Sequence, residues 1–461
     1  MLNLVFFNTA FGLTISHNQE KSSTDGTKIL DIAIIGSGMA GLAAARILHD
    51  AGHKVTIFEA LAGRGMDSHS IEFDGGIIDA PLRVMNPKLW KNTLSLASHL
   101  GIETFPVRTF MACSWLFEDK TDTWLTTSRS RIGNFPIINN RKGIQQYGWR
   151  LVKGMLQLKT AVNQFFKSEN QDITLAEFMN QYHIEEVFWH GTVMPVLYTI
   201  CTCHPKTIGE WPAKPLLEFV RQLTEGEALL RMKGGTPALV NRLIEGIEIH
   251  SGAPVQKVEE HGDKVLVDNG QGESKAFDRV VIATPTPVIE NFLKQPQFAD
   301  DIDILKKFRF EDGDLVIHTD PVVMPARRKD WAVLSYMMDR KFIRQQFTVW
   351  INAVEPSLVG KNAVFQTWCP VIDIDPKKII SKVKLTRAVV DLETVALNKE
   401  IQQRHLQQNR KVFYCGSWSC DGLPILESAV TSAMHIAEIL GAPVPFVGLK
   451  PQVKVAPELG Y

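Results

Sequence analysis

Cysteine is scarce in this chain of 461 residues, which contains six, at positions 113, 201, 203, 369, 415 and 420. None forms a Cys-x-x-Cys pair, and although Cys201 and Cys203 lie beside His204, no second ligand pair stands at a zinc spacing. This scarcity excludes a disulfide-rich secreted scaffold and indicates buried thiols in a reducing compartment. We therefore expect a cytoplasmic protein without a bound metal.

The chain also lacks an excess of charge, because fifty Lys and Arg residues balance fifty Asp and Glu residues. No overall field therefore recruits nucleic acid or an anionic membrane, which leaves only a local basic patch as an alternative. No run of about 18 apolar residues is present, so we expect a soluble protein without a transmembrane helix. The apolar residues 1–16 lack a basic n-region and contain Asn3 and Asn8, so we interpret residues 1–28 as a flexible lead-in rather than a cleaved signal.

Glycine does appear in an informative pattern, in residues 31–60, which read DIAIIGSGMAGLAAARILHDAGHKVTIFEA. A strand-like run precedes the glycines, a helical Ala/Leu stretch follows them, and a β-branched strand ends at an acid. In a nucleotide-binding unit, the backbone N–H groups of such a turn hold a pyrophosphate, and the acid accepts hydrogen bonds from the adenosine ribose. The alternatives are a closely packed αβ turn without a ligand and a solvated charge at the strand end. The predicted clamp consists of Gly36, Gly38, Met39, Ala40, Gly41 and Glu59.

Strand and helix patterns recur in three separated parts of the chain. A buried strand is predicted at 280–283, and a strand, a glycine turn and a helix at 411–441. The intervening segments are rich in Trp, Phe and Met. We predict an α/β fold in which a discontinuous, doubly wound, Rossmann-like domain (29–105, 235–300 and 408–445) carries an inserted mixed α+β substrate domain (106–234 and 301–407). Residues 446–461 are the predicted C-terminal tail.

NAD and FAD use the same clamp, so other stretches decide between them. These are ALAGRGMDSHS (60–70), IIDAPLRVMNP (77–87), MKGGTPALVNRL (232–243), VIHTDPVVMPARRKDW (316–331) and FYCGSWSCDGLPILESAVTSA (413–433). In this order, and over nearly the whole chain after residue 30, they resemble the FAD-dependent amine oxidase and phytoene desaturase superfamily. The closest likeness is to a family of flavin oxidoreductases, some of whose plant relatives are fused to cyclopropane fatty acid synthases.

The resemblance implies non-covalently bound FAD, and hence a FAD-binding domain around the clamp. Met66, Pro81 and Ser428 stand where these relatives have glycine, which leaves open a scaffold whose active site has decayed. Beyond the clamp, the implied cofactor contacts are Ala60, Arg64, Gly65, Val255, Ala283, Gly416, Glu427, Ser428 and Ala429.

Two residues are candidates for catalysis. Amine oxidases often place a Lys near the reactive flavin nitrogen, but DGDLVIHTD after Glu311 contains none, and His318 is the nearest group with proton chemistry. Trp418 follows Gly416, where the resemblance implies an aromatic wall beside the flavin. The alternative for each is simple packing in the core. The same choice, cavity lining or sheet core, applies to Trp331, Tyr336, Trp350, Asn352 and Trp368.

These observations predict a FAD-dependent oxidoreductase that takes a hydride from a C–H bond of a small molecule. The substrate is apolar and lipid-like or carries an amine. We favour the lipid, because the insert is apolar and no acidic cluster suited to a polyamine is visible. A flavin-dependent isomerase that moves a double bond without net oxidation, and the decayed scaffold, are the alternatives. We expect no nucleic-acid partner.

Overall fold

The computed structural model describes residues 28–116, 123–132, 135–138, 141–224, 228–272, 274–455 and 459. The predicted lead-in, except for residue 28, lies outside the described residues. Within them, none of the helices has both the length and the apolar character needed to cross a membrane. All six cysteines are free thiols, five of them buried.

A five-stranded parallel sheet, here called the nucleotide sheet, carries the predicted clamp. Ile32 and Ile34 pack into one hydrophobic cluster and Ala33 and Ile35 into another, because a parallel sheet is covered on both faces. This arrangement confirms the doubly wound α/β class. In spatial order, its strands are Glu248–His250, Lys54–Phe58, Asp31–Ile35, Arg279–Ile282 and Val412–Tyr414.

Helices cover one face of the nucleotide sheet and a small antiparallel sheet adjoins the other. The helices Met39–Asp50 and Leu426–Ile439 pack against each other on the first face. The small sheet consists of Lys257–His261, Lys264–Asp268 and Lys275–Phe277. Because all strands of the nucleotide sheet are parallel, their carboxyl ends share one edge, where open α/β sheets bind ligands.

An eight-stranded mixed sheet, here called the mixed sheet, forms the second layer. Its strands in spatial order are Ile379–Val389, Arg309–His318, Phe365–Trp368, Gln345–Trp350, Leu334–Met338, Met111–Trp115, Thr123–Ile132 and Phe135–Ile138. The helices of the same part of the chain are Arg141–Phe165, Leu175–Tyr182, Glu186–Phe188, Met194–Cys201, Pro205–Gly209 and Ala213–Thr224. The domain boundaries given above stay a prediction.

The remaining elements connect the two sheets. The short strands are Ile71–Phe73 with Gly76–Ile78, and Leu229–Met232 with Glu103–Val107 and Gln452–Val453. The remaining α-helices are Lys91–His99, Gly235–Leu243, Ala299–Leu305 and Thr394–His405. The hairpin 71–78 leads directly into the segment 79–87, which contacts the mixed sheet: the Gln366 side chain of that sheet bonds the backbone of Asp79 and Leu82.

Candidate flavin site

The glycine turn contains three glycines that are required for three different reasons. Gly36 has a φ of 99° and donates its N–H to the Phe58 carbonyl at 2.8 Å. At Gly41, a Cβ would overlap the Gly36 carbonyl oxygen, so glycine allows the helix to approach the turn. At Gly38, a Cβ would meet no heavy atom within 4 Å. The fold itself therefore does not require glycine at 38, and the open space in front of it fits the close approach of a pyrophosphate.

The helix Met39–Asp50 begins at this open space. Its N-cap residue is Gly38, and no side chain of the described residues caps it. The first N–H groups of a helix have no acceptor within the helix, so those of Met39 and Ala40 suit an anion. Both residues are buried, so a ligand would meet them through their backbone N–H groups.

Glu59 ends the neighbouring strand and is buried, which excludes the solvated strand-end charge. Its Oε2 accepts hydrogen bonds from the N–H and the hydroxyl of Ser37 at 2.8 and 2.6 Å, and its Oε1 accepts one from the Leu61 N–H at 2.8 Å. A carboxylate offers about four lone-pair positions, so one remains, on Oε1. The structure thus leaves room for one ribose hydroxyl, and Glu59 also holds the glycine turn in place.

We expect Glu59→Ala to lower the free energy of unfolding by about 1–3 kcal/mol, because the buried N–H and hydroxyl of Ser37 lose their acceptor. The dissociation constant of FAD should rise about tenfold or more, because a charge-assisted hydrogen bond is lost. Denaturant unfolding without FAD and fluorescence titration with FAD separate the two effects. The exposed Glu248→Ala, on the adjacent strand, is the control. An unchanged dissociation constant in a destabilised Glu59→Ala would leave this residue a purely structural role.

The loop 63–68 packs against the glycine turn. Gly65 has a φ of 64°, and a Cβ there would overlap Ser37. The Met66 N–H donates to the Ser37 carbonyl at 3.0 Å, while the Met66 side chain is buried in the hydrophobic core. Arg64 pairs with Asp67. The methionine that replaces the glycine of the relatives is therefore accommodated by the core.

The closing segment 413–433 lies beside the same edge of the sheet. The Gly416 N–H donates to Ser432 Oγ at 3.1 Å, which ties the turn after the last strand to the helix Leu426–Ile439. Ser428 Oγ donates to the Leu423 carbonyl at 2.5 Å, and Ala429 is buried on the inner face of the helix. The hydroxyl of Ser428 is thus used within the loop that precedes its own helix.

Glu427 serves a neighbouring helix. Its two carboxylate oxygens accept hydrogen bonds from the backbone N–H groups of Asn92 and Thr93 at 2.8 and 2.9 Å, at the start of the helix Lys91–His99. Burial raises the pKa of Glu427. Its carboxylate thus caps a second helix, and the contact of Glu427 with the flavin stays a prediction.

Three further predicted contacts surround the clamp less closely. Ala283 is half-buried, donates its N–H to the Ile35 carbonyl at 2.8 Å, and lies next to Gly36. Val255 is half-buried and Ala60 is exposed. The structure therefore brings Ala283 and the glycine turn together, and their contact with a cofactor stays a prediction.

His318 is fully buried, and both of its ring nitrogens are engaged. Nδ1 accepts the Asp320 N–H at 3.1 Å, so Nε2 carries the proton and donates to Thr367 Oγ1 at 2.9 Å. Burial lowers the pKa of His318 to about 4. This is the packing alternative of the sequence analysis. A proton-transfer role for His318 stays a prediction and does not carry the function proposed below.

A buried neutral histidine makes stability depend on pH. The pKa of His318 falls from 6.5 in the unfolded chain to about 4 in the fold, so between these values the unfolded state binds more protons. We expect its contribution, up to about 3 kcal/mol, to be present above pH 6.5 and to be lost as the pH falls toward 4. His318→Gln, which keeps a donor for Thr367, should flatten this part of the stability curve relative to the exposed control His261→Gln. Equal slopes in denaturant unfolding would contradict the prediction.

Trp418 lies in the core cluster on the far face of the nucleotide sheet. Its Nε1–H donates to the Thr284 carbonyl at 3.1 Å, and its ring meets Phe308 edge-on at 4.8 Å. A Cβ at Gly416 would overlap the indole. Trp418 is thus packed in the core, and its role as flavin wall stays a prediction. Four further candidates are also buried: Tyr336, Trp350, Asn352 and Trp368; Trp331 is half-buried.

Two arginines that the sequence analysis did not single out stand near the closing segment. Arg83 donates to the Pro81 carbonyl and Arg387 to the Pro424 carbonyl, each at a long 3.4 Å, and the Nε–H of each is buried without an acceptor. Among the described residues, neither has a carboxylate within 4 Å of its guanidinium nitrogens. Burial lowers the pKa of both groups; at Arg83 the charge of Asp79 opposes this shift, and the charge of Arg387 adds to it.

Arg231, in contrast, is fully buried and paired with carboxylates. It is 1% exposed, binds Glu355 directly, and lies 3.6 Å from a carboxylate oxygen of Asp79. Asp79 in turn accepts the Thr236 N–H at 2.8 Å. This network joins the three segments that border the site. Unlike Arg231, Arg83 and Arg387 have no carboxylate within 4 Å in the described part of the chain.

Known proteins share the sequence pattern and the fold of this chain. The family model for flavin-containing amine oxidoreductases matches residues 39–309. Lysine-specific histone demethylase 1B of Mus musculus is 24% identical over 271 residues, which is 56% of this chain but 30% of that protein, so the match spans about a third of the relative.

Two solved structures share the fold over nearly the whole chain. Wild-type putrescine oxidase bound to putrescine has a TM-score of 0.62 and 14% identity, and the match covers 91% of this chain and 100% of that one. The CLA-producing fatty acid isomerase of P. acnes has a TM-score of 0.60 and 14% identity, with 89% and 98% covered. At such identities, the likeness shows the fold alone.

Proposed function

Because the chain belongs to the family of flavin-containing amine oxidoreductases, whose cofactor is FAD, we propose that it oxidises a C–H bond of an apolar small molecule bearing a carboxylate. The observation that carries the substrate class is the pair Arg83 and Arg387, two half-buried arginines whose Nε–H groups are buried without an acceptor and which have no carboxylate within 4 Å among the described residues.

The two arginines lie near enough to each other for the positive charge of Arg387 to lower the pKa of Arg83. Arg83 lies in the segment 79–87, which contacts the mixed sheet, and Arg387 lies on the mixed-sheet strand Ile379–Val389 and reaches Pro424 in the closing segment. Glu311 is the register partner of Arg387, but its two oxygens accept from the His204 N–H and the Thr207 hydroxyl. This region borders the segments that the resemblance places beside the flavin.

The charge of this region discriminates between substrates. A buried cation without a partner costs several kcal/mol, and an anion bound between two such cations offsets that cost. A carboxylate suits the planar donor fork of arginine, whereas a protonated amine would be repelled. The arginine pair therefore favours a ligand of the fatty-acid type over one of the putrescine type.

The chain's own residues would bind and orient the reactants. The glycine turn and Glu59 would hold the FAD phosphates and ribose, and the arginines would fix the acid end of the substrate so that its C–H bond meets the flavin ring. When bound, the flavin supplies the hydride acceptor. We also propose that the chain is related to the family with cyclopropane fatty acid synthase fusions, which the arginine pair supports as a site for a carboxylate. We further propose a cytoplasmic location, which the six free thiols support.

The test uses FAD-loaded protein titrated with dodecanoate and with dodecylamine, with the flavin spectrum as readout. We expect dodecanoate to perturb the spectrum and dodecylamine to have no effect. Arg83→Met and Arg387→Met should each weaken the dodecanoate response about tenfold or more, as expected when a charged hydrogen bond is lost. The exposed Arg327→Met is the control.

Anaerobic incubation then distinguishes the reaction classes. Bleaching of the flavin by a carboxylate substrate supports oxidation, whereas a shifted double bond without bleaching or peroxide would identify the isomerase. A response to dodecylamine that survives in both arginine variants would overturn the proposed substrate class. Failure of the protein to bind FAD would contradict the proposal that it is a flavin-dependent enzyme.

A further inference from the structure

The helix Arg141–Phe165 has two apolar stripes, and only one of them faces the core. Tyr147, Leu151, Leu158 and Phe165 are buried. An ordinary surface helix turns polar residues toward solvent. On this helix, large apolar side chains face solvent instead, with exposed fractions of 47, 76, 45, 48 and 56% for Ile144, Trp149, Val152, Met155 and Leu156. We call these five residues the exposed stripe.

Trp149 is the most telling member of the exposed stripe. The chain contains ten tryptophans, all within the described residues, and Trp149 is the only one classed as exposed. With Val152 and Leu156, it follows the i, i+3, i+7 spacing of one helix face. Scattered single apolar residues on a surface need no explanation, but a contiguous stripe marks an interaction site.

The helix that carries the exposed stripe, and the strands before it, contain charges of a single sign. Residues 123–165 contain seven Lys and Arg residues and no Asp or Glu, although the whole chain is balanced. Lys153 and Lys159 are exposed and make no ion pair among the described residues. Arg150 pairs with Glu185 at 2.5 Å. The local basic patch that net charge alone does not reveal is therefore present on this helix.

We propose that this face of the helix docks on a bilayer surface that contains anionic lipids, with the exposed stripe in the interface and the lysines at the headgroups. A helix with apolar residues, an exposed Trp and cations is the pattern that binds in the plane of a membrane. Each lysine near an anionic surface adds to the attraction.

Charge argues against other occupants. A second copy of the chain would bring two basic faces together, which like-charge repulsion opposes. Residues 1–16 are apolar but contain no acidic residue, so they offer the lysines no counter-charge. An anionic lipid surface satisfies both the apolar and the charged part of the face. This inference does not depend on the substrate proposed above.

The experiment is co-sedimentation of the full-length, FAD-loaded protein with vesicles of phosphatidylcholine alone or of phosphatidylcholine with about a third phosphatidylserine. We expect binding to the anionic vesicles about tenfold or more above binding to the neutral ones, with a blue shift of tryptophan fluorescence. Trp149→Gln/Leu156→Gln should lower binding about tenfold or more. Lys153→Glu/Lys159→Glu should lower it as much and remove the preference for anionic vesicles.

The control is Val395→Gln/Leu406→Gln, which removes comparably exposed apolar residues, 50 and 71% exposed, at the helix Thr394–His405. It should bind as the parent does, and flavin content and circular dichroism verify that every variant is folded. Equal binding by parent and stripe variant would overturn the proposal. So would binding that is lost only on deletion of residues 1–16, or concentration-dependent self-association that only the stripe variant lacks.

Discussion

Replacing Gly38 by valine should abolish FAD binding and leave the protein folded. The structure gives the reason for both halves of this expectation. A Cβ at this position meets no protein atom within 4 Å, so the fold tolerates a side chain. The same space is the one through which a pyrophosphate would approach the N-terminus of the helix Met39–Asp50, and the valine branches would fill it. We expect the dissociation constant of FAD to rise at least about a hundredfold, which corresponds to about 2.7 kcal/mol.

Gly41→Ala is the matched contrast for this prediction. Its new Cβ would overlap the Gly36 carbonyl oxygen, a backbone atom that cannot move without opening the turn. We expect Gly41→Ala to be destabilised by about 4 kcal/mol or more, even without FAD. Fluorescence titration with FAD and denaturant unfolding distinguish the two variants. A Gly38→Val protein that is folded and binds FAD as the parent does would show that the open space is not the cofactor site.

The strands, turn and helix that form the site are well predicted from the sequence because they depend on local patterns. Strand, glycine turn, helix and strand follow one another in residues 31–60, and the structure confirms the elements Asp31–Ile35, Met39–Asp50 and Lys54–Phe58. Each is specified by hydrophobic periodicity or by a backbone requirement at glycine. The parallel pairing of Asp31–Ile35 with the distant strand Arg279–Ile282 completes the doubly wound class.

The roles of single side chains were less predictable because they depend on partners far away in the chain. Glu427 follows the motif of the relatives, yet its carboxylate caps a helix that begins more than three hundred residues earlier. His318 has suitable chemistry, but Thr367 and the Asp320 backbone occupy both nitrogens. Arg83 was visible in IIDAPLRVMNP, where a charge stands among apolar residues, but its lack of a carboxylate partner can only be seen in three dimensions.

The buried network around Arg231 gives the second large expected effect. Arg231→Met should lower the free energy of unfolding by about 3–5 kcal/mol, because Glu355 and Asp79 would stay buried after losing their cation. The network joins the strand Leu229–Met232 to the segments near residues 79 and 355. Its loss would therefore weaken the contacts among three segments that border the flavin site. Denaturant unfolding of parent and variant, without FAD, measures the difference.

A second substitution tests whether charge is the cause. Arg231→Met/Glu355→Gln removes one of the uncompensated carboxylates, while the amide oxygen of the new side chain can still accept from Ser357, as Glu355 Oε1 does. If electrostatics dominate, the double variant should be more stable than Arg231→Met by about 1 kcal/mol or more, an interaction energy typical of residues in direct contact. If the two substitutions lower the free energy of unfolding additively, Arg231 stabilises the fold through the volume it fills and not through its pairing with Glu355. Arg83 differs from Arg231 in this respect, because Arg83 has no carboxylate within 4 Å and its removal leaves no such anion unpaired. Arg83→Met should therefore weaken ligand binding strongly but lower the free energy of unfolding only a little.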